Sequence, residues 1–125
     1  MSDTQTATAV RVLVVEDSAE QAGLLRRHLE RAGCTVTIAE TGEDAMVAYH
    51  ADSPDLAIID LVLPGMAGRE LVLRLRSELP ECKIAITSVF DVAEYPASDG
   101  ALPKPFTGAQ VRAVLDHALP GRLVA

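Results

Sequence analysis

Four short stretches of this sequence end in residues that can do chemistry. Glu16-Asp17 close the apolar run Val10–Val15, and Asp60 interrupts the run Leu56–Leu61. Thr87-Ser88 lie near the end of Lys83–Val89, and Lys104 follows Gly100–Leu102 between two prolines. Each has an ordinary explanation when taken alone. An acidic pair after a strand can serve as helix N-terminal charge. Threonine is favoured in strands, and a loop lysine is usually solvated. Asp60 is the exception, because a carboxylate within Ile-Ile-Asp-Leu is costly to bury unless it is paired. Brought together, three carboxylates would repel and would either take protons or hold a cation. Oxygen-only ligands suit a hard cation, and Mg²⁺ is the natural choice. A lysine would add a compact positive charge, and a threonine a hydroxyl donor. That set describes a site for moving a phosphoryl group onto Asp60, with in-line attack by its carboxylate.

These residues can meet only if the intervening chain brings the four ends to one rim. The periodicity predicts that it does. Val10–Val15, Thr35–Ala39, Leu56–Leu61, Lys83–Val89 and Gly100–Leu102 are short β-branched or apolar runs of the kind found in buried parallel strands. Helical spacing fills the gaps. Ala22, Leu25, Leu29 and Ala32 follow the S-x-x-Q box Ser18–Gln21, with Gly33 after the helix end. Ala45, Met46 and Tyr49 form the inner face of a helix over about 42–51. Leu71, Leu75 and Leu79 mark another over 69–79, stopped by Pro80. Val111, Val114, Leu115 and Ala118 follow the box Thr107–Gln110, and Pro120-Gly121 ends that helix. Strand and helix alternate about five times, which predicts an α/β fold with a doubly wound, five-stranded parallel sheet. In such sheets ligands bind outside the carboxyl ends of the strands.

Composition removes competing classes. The chain has 125 residues, 49% of them hydrophobic and 23% charged, which suits one folded domain and not a disordered chain. No apolar run is long enough to span a bilayer. A net charge of −7 argues against direct nucleic-acid binding, which needs a basic face. Arginine supplies nine of the eleven cations, leaving Lys83 and Lys104 as the two lysines. Residues 1–9 read as a tail with no signal-peptide character, 10–120 as the domain, and 121–125 as a C-terminal tail. Cys34 and Cys82 make no metal or disulfide pattern, which fits the cytoplasm. His28, His50 and His117 fall within helices and read as ordinary helix residues.

The ordered motifs resemble the receiver domain of bacterial two-component response regulators, over about residues 10–119. Val-Leu-Val-Val-Glu16-Asp17 matches the family's acidic pair. Asp60-Leu-Val-Leu-Pro64-Gly-Met-Ala-Gly68 matches its phosphoacceptor segment. Ile-Ala-Ile-Thr87-Ser88 matches the strand bearing its hydroxyl residue, and Lys104-Pro105-Phe106 its Lys-Pro-Phe. The resemblance implies a flavodoxin-like sheet of order 2-1-3-4-5. It implies Asp60 as the phosphorylated residue and Glu16, Asp17, Asp60 and the backbone carbonyl of Val62 as Mg²⁺ ligands. Thr87 would turn toward the phosphoryl group, and Lys104 would pair with it. The donor would be a histidine kinase or a histidine phosphotransfer protein. Output would be a phosphorylation-dependent contact with a downstream protein, with room for a weak homodimer. The chain would be a single-domain signalling protein that promotes only its own phosphorylation and dephosphorylation, not an enzyme acting on other substrates.

Departures from the family pattern concentrate on one side. The stretch between Thr87 and Lys104 is shorter than usual, so the helix between the fourth and fifth strands should be short or irregular. The aromatic residue expected three positions before the lysine is Ala101, leaving Phe90 or Tyr95 to substitute. Pro103 should shorten the pairing edge of the last strand. Val62 and Val89 flank Asp60 and Thr87 with apolar side chains, which should hinder attacking water and lengthen the phosphorylated lifetime. In the implied order Cys34 and Cys82 lie three strand steps apart, roughly 14 Å, too far for a disulfide. A receiver-like docking module that is never phosphorylated is the alternative reading, against which the complete residue set argues. A haloacid dehalogenase-type phosphatase would need a second Asp where Val62 stands. A flavin or nucleotide binder would need a glycine-rich loop after the first strand, where Glu-Asp-Ser stands.

Overall fold

The computed structural model describes residues 9–123. The expected tail over 1–9, apart from Ala9, and the last two residues of the expected 121–125 tail lie outside the described residues. The elements are β1 (Arg11–Val15), α1 (Ala19–Arg31), β2 (Thr35–Ala39), α2 (Gly42–Ala51), β3 (Leu56–Asp60), α3 (Gly68–Glu78), β4 (Lys83–Ser88), β5 (Gly100–Pro103) and α4 (Gly108–Ala118). All five strands pair in parallel, in the order β2-β1-β3-β4-β5.

Side-chain alternation along the strands divides the core into two layers. Val12, Val14, Leu56, Ile58, Ala85 and Leu102 face Leu25 and Leu29 of α1 and Val111, Val114 and Leu115 of α4. Leu13, Val15, Ala57, Ile59, Ile84 and Ile86 face Ala45 and Tyr49 of α2 and Leu71, Val72 and Leu75 of α3. The central strands are apolar on both faces for this reason. Three helices begin on side-chain caps: Ser18 Oγ accepts from Gln21 N at 3.3 Å, Thr41 Oγ1 from Asp44 N at 3.0 Å, and Thr107 forms a reciprocal capping box with Gln110. Gly33, at φ 93°, ends α1 in the left-handed conformation that favours glycine. Among the described residues no helix is long and apolar enough to cross a membrane. Cys34 and Cys82 are both free, and burial raises their thiol pKa values to about 11 and about 12.

The connection from β4 to β5 is the irregular one. In place of a helix it contains a single 3-10 turn, Val92–Glu94, none of whose residues is buried. The strap is held from α3 instead of by its own packing. Arg69 donates to the Glu94 carbonyl at 2.6 Å, and Arg76 donates to the Ala97 carbonyl. Tyr95 turns inward, packs on the α2/α3 layer and donates from its hydroxyl to the Ser88 carbonyl at 3.1 Å. Pro103 remains in β5, at the sheet edge opposite Ser88, and the next N–H, that of Lys104, reaches the Ser88 carbonyl at 2.9 Å.

The start of α3 passes so close to the end of β3 that one residue type is forced. A Cβ on Gly68 would lie 2.3 Å from the Asp60 carbonyl oxygen and 2.7 Å from Leu61 Cα, both backbone atoms. Gly23, within α1, has nothing within 4 Å of the same position. Gly68→Ala should therefore cost about 3 kcal/mol in urea unfolding, through a displaced helix start. Gly23→Ala should gain about 0.5–1 kcal/mol, as alanine is the better helix former. Equal effects of the two substitutions would contradict this account of Gly68.

Candidate functional site

Parallel pairing puts the carboxyl ends of β1, β3, β4 and β5 on one rim, and the candidate residues arrive there in register. Asp60 is directly opposite Thr87, and Thr87 opposite Leu102. Glu16, the residue after β1, and Asp60, the last of β3, are both almost fully buried, whereas Asp17 is exposed. One oxygen from each of Glu16, Asp17 and Asp60 lies within 4.8 Å of the others.

Lys104 crosses this cluster. Its Nζ donates to Glu16 Oε1 at 2.7 Å and to Asp60 Oδ2 at 2.8 Å. The second oxygen of each carboxylate is held by backbone. Val62 N–H donates to Asp60 Oδ1 at 2.9 Å, and Ser18 N–H donates to Glu16 Oε2 at 3.1 Å. Both carboxylates are therefore oriented from two sides. Burial pushes the Glu16 carboxyl above its ordinary value, offset in part by the bonds from Lys104 and Ser18. Burial also works against the Lys104 charge, but the hydrogen bonds to Asp60 and Glu16 outweigh it and hold the ammonium above its usual value. One ammonium against three carboxylates leaves the cluster with surplus negative charge.

That surplus, and a donor set made entirely of oxygen, fit a hard divalent cation such as Mg²⁺ held by Glu16, Asp17 and Asp60. Thr87 Oγ1 is fully buried and has no hydrogen-bond partner among the described residues. An unmatched buried hydroxyl costs about 1–3 kcal/mol. It lies directly opposite Asp60 in the pairing of β3 with β4.

The cluster opens to solvent through a depression of about 540 Å³ lined by Asp17, Val62, Leu63, Pro64, Val89 and Lys104, among others. Val62 and Val89 stand exposed at its mouth, as their positions beside Asp60 and Thr87 predicted. Lys83 begins β4, at the other end of the sheet, so Lys104 alone of the two lysines reaches the carboxylates. His28, His50 and His117 lie in α1, α2 and α4 and do not line this depression, although the His28 ring packs edge-on against Phe106. Ala101 is exposed and brings no ring to the site, while Tyr95 supplies one next to Ser88. The backbone donors of Ser18 and Val62 and the inward turn of Tyr95 were not expected from the sequence. The Ser18 cap and the short spacing from Asp60 to Gly68 were the available signals for the first two. Nothing in the strap sequence marks Tyr95 as the residue that turns in.

The comparisons agree with this architecture. The chain is 29% identical to the CheY-like response regulator receiver domain of Methylobacillus flagellatus, with a TM-score of 0.79 over 88% of this chain and 98% of that one. It is 25% identical to the response regulator TrrA of Thermotoga maritima, solved in complex with Mg²⁺ and BeF, with a TM-score of 0.81 over 88% of this chain and 99% of that one. Among curated sequences it is 34% identical over 121 residues to response regulator MprA of Mycolicibacterium vanbaalenii, covering 89% of this chain and 52% of that protein. It is 30% identical over 118 residues to a cyclic di-GMP phosphodiesterase of Thermotoga maritima, covering 90% of this chain and 32% of that protein. The chain thus spans about half of the one relative and about a third of the other. The family model described as the response regulator receiver domain matches residues 12–116, and the chain belongs to that family.

Proposed function

We propose that the chain accepts a phosphoryl group on Asp60 from a histidine kinase or a histidine phosphotransfer protein and passes the signal on through a phosphorylation-dependent protein contact. The observation that carries this reading is the Lys104 ammonium held between Glu16 and Asp60, at 2.7 and 2.8 Å, beside the unpartnered Thr87 hydroxyl. A purely structural ion pair would need one carboxylate and no idle donor.

The chemistry follows from the groups present. A carboxylate oxygen of Asp60 attacks phosphorus in line. The P–O bond forms as the P–N bond to the donor imidazole breaks, and the imidazole nitrogen keeps the bonding electrons and takes a proton. Lys104 stays within reach of Asp60 and meets the charge on the phosphoryl oxygens. The Val62 N–H keeps the carboxylate from rotating. The Thr87 hydroxyl gains its missing partner when a phosphoryl oxygen arrives, and this ties the end of β4 to the modified residue. Glu16, Asp17, Asp60 and the Val62 backbone carbonyl would hold Mg²⁺, which neutralises phosphoryl charge when bound. The Mg²⁺ and BeF complex of TrrA is support by likeness for this ligand set. Tyr95, hydrogen-bonded beside Thr87, is placed to carry any movement of β4 into the strap.

Two results test the reading. Incubation with Mg²⁺ and acetyl phosphate should add one phosphoryl mass, stable in acid and lost in base, that Asp60→Asn does not gain. No gain, or an equal gain in the variant, would sink the assignment. The phosphorylated form should also persist, because Val62 and Val89 offer attacking water no polar group. Val62→Asn with Val89→Gln should shorten the half-life several-fold by intact mass, and an unchanged half-life would remove the two valines from the account.

A further inference from the structure

Lys104 stands between two prolines, so its own N–H is the one backbone donor that residues 103–105 possess. That N–H continues the ladder one residue beyond the last pair, Pro103 with Ser88, and donates to the Ser88 carbonyl at 2.9 Å. The base of the lysine side chain is therefore tied to β4 through a single acceptor. From that base its Nζ reaches Glu16 at 2.7 Å and Asp60 at 2.8 Å.

The same carbonyl has a second donor. A carbonyl oxygen accepts on two lone pairs, and the Tyr95 hydroxyl takes the other at 3.1 Å. Ser88 is buried, so solvent is a poor substitute for either donor. Tyr95 itself is held on both sides in the chain. Arg69 donates to the Glu94 carbonyl at 2.6 Å and Arg76 to the Ala97 carbonyl, while the ring packs on the α2/α3 layer. Its hydroxyl is thus delivered from a fixed base. A short relay then joins it to the reacting carboxylate: Tyr95 hydroxyl to Ser88 carbonyl, Ser88 carbonyl to Lys104 N–H, Lys104 ammonium to Asp60.

We infer that Tyr95 is a positioning residue for phosphoryl acceptance, its hydroxyl setting, through the Ser88 carbonyl, the point from which Lys104 reaches Asp60. This rests on the phosphoacceptor reading and deepens it. Tyr95 touches none of the reacting atoms. Without its hydroxyl the Ser88 carbonyl keeps the Lys104 N–H alone and is free to tilt, and a shift of that acceptor carries the lysine backbone with it. The ammonium then divides its reach differently between Glu16 and Asp60. A charge displaced by a fraction of an ångström from the phosphoryl oxygens it must meet loses part of its effect on the rate.

The two lysines provide the test. With isotope on the lysine side chains alone, the NMR spectrum of the full chain carries one signal from Lys104 and one from Lys83, which begins β4 at the other end of the sheet and serves as the reference. Tyr95→Phe keeps the ring and removes the hydroxyl. It should displace or broaden the Lys104 signal, identified by its loss in Lys104→Arg, and leave that of Lys83 in place. The rate of phosphorylation by acetyl phosphate, followed by intact mass, should fall about fivefold, the size of effect that one net hydrogen bond transmits. Tyr95→Leu, which removes the ring as well, should lower the rate at least as far. An unchanged Lys104 signal in Tyr95→Phe would overturn the inference, as would an unchanged rate. A rate lost only in Tyr95→Leu would overturn it too, because ring packing would then account for the loss. If acetyl phosphate does not modify the unaltered chain, the phosphoacceptor reading falls and the positioning role with it. If the unaltered chain is modified and Tyr95→Phe matches it in rate and in the lysine signal, the inference falls alone.

Discussion

A single ammonium holds the functional rim together. Lys104 and Glu16 are 88 residues apart in the chain, yet their side chains meet at 2.7 Å. The contact exists because β1 and β5 run in parallel with β3 and β4 between them, so that residues following both strands emerge on the same side. It also needs a fixed base for Lys104, which its own N–H provides by bonding to the Ser88 carbonyl. Burying two carboxylates on one lysine is poor stabilisation, since the desolvation of three charges is only partly returned by their attraction. The arrangement leaves the cluster short of positive charge, with a donor set that could hold a hard cation.

The two faces of the sheet are covered unequally, and that difference separates the polar cluster of the site from its surroundings. On one face α1 and α4 pack on the sheet and on each other. On the other, α2 and α3 cover the centre, while the flank next to β5 has only the strap 89–99. Hydrogen bonds from Arg69 and Arg76 and the inward Tyr95 anchor the strap at its far end. Its near end, Val89 to Val92, follows directly from the strand that carries Thr87. The buried polar residues of the rim are thus fixed at the ends of strands, and the surface around their mouth is set by a segment with little packing of its own.

Most of the fold was legible in the sequence because its signals were local. β-branched runs, capping boxes and helical leucine spacing each report on a few neighbouring residues, and β1 to β4 and all four helices follow them closely. The candidate site was legible for a different reason. Asp60 is a carboxylate that its apolar surroundings do not explain, and Glu16, Thr87 and Lys104, each ordinary alone, fall at the ends of strands that a parallel sheet sends to one side. What could not be read was the pairing within the cluster. That Lys104 bridges Glu16 and Asp60, and that Val62 and Ser18 turn their N–H groups onto those carboxylates, depends on side-chain rotamers and loop geometry over distances that no periodicity encodes. The shortened connection after β4 was visible from Pro96, Gly100 and the count of residues. Which of its two aromatic residues would turn inward was not, because Phe90 and Tyr95 differ by one hydroxyl and its choice of the Ser88 carbonyl.

The same shortened connection leaves β5 as an open edge beside exposed valine and phenylalanine, the combination that invites strand-to-strand polymerisation. The molecule limits that hazard by making the edge small. β5 has four residues, Gly100–Pro103, and it ends on a residue with no N–H to offer a neighbouring strand. A glycine at its start and a proline at its end make it a poor template, so the apolar strap can stay uncovered without the sheet growing. The edge is thereby closed by Pro103, the residue just before Lys104.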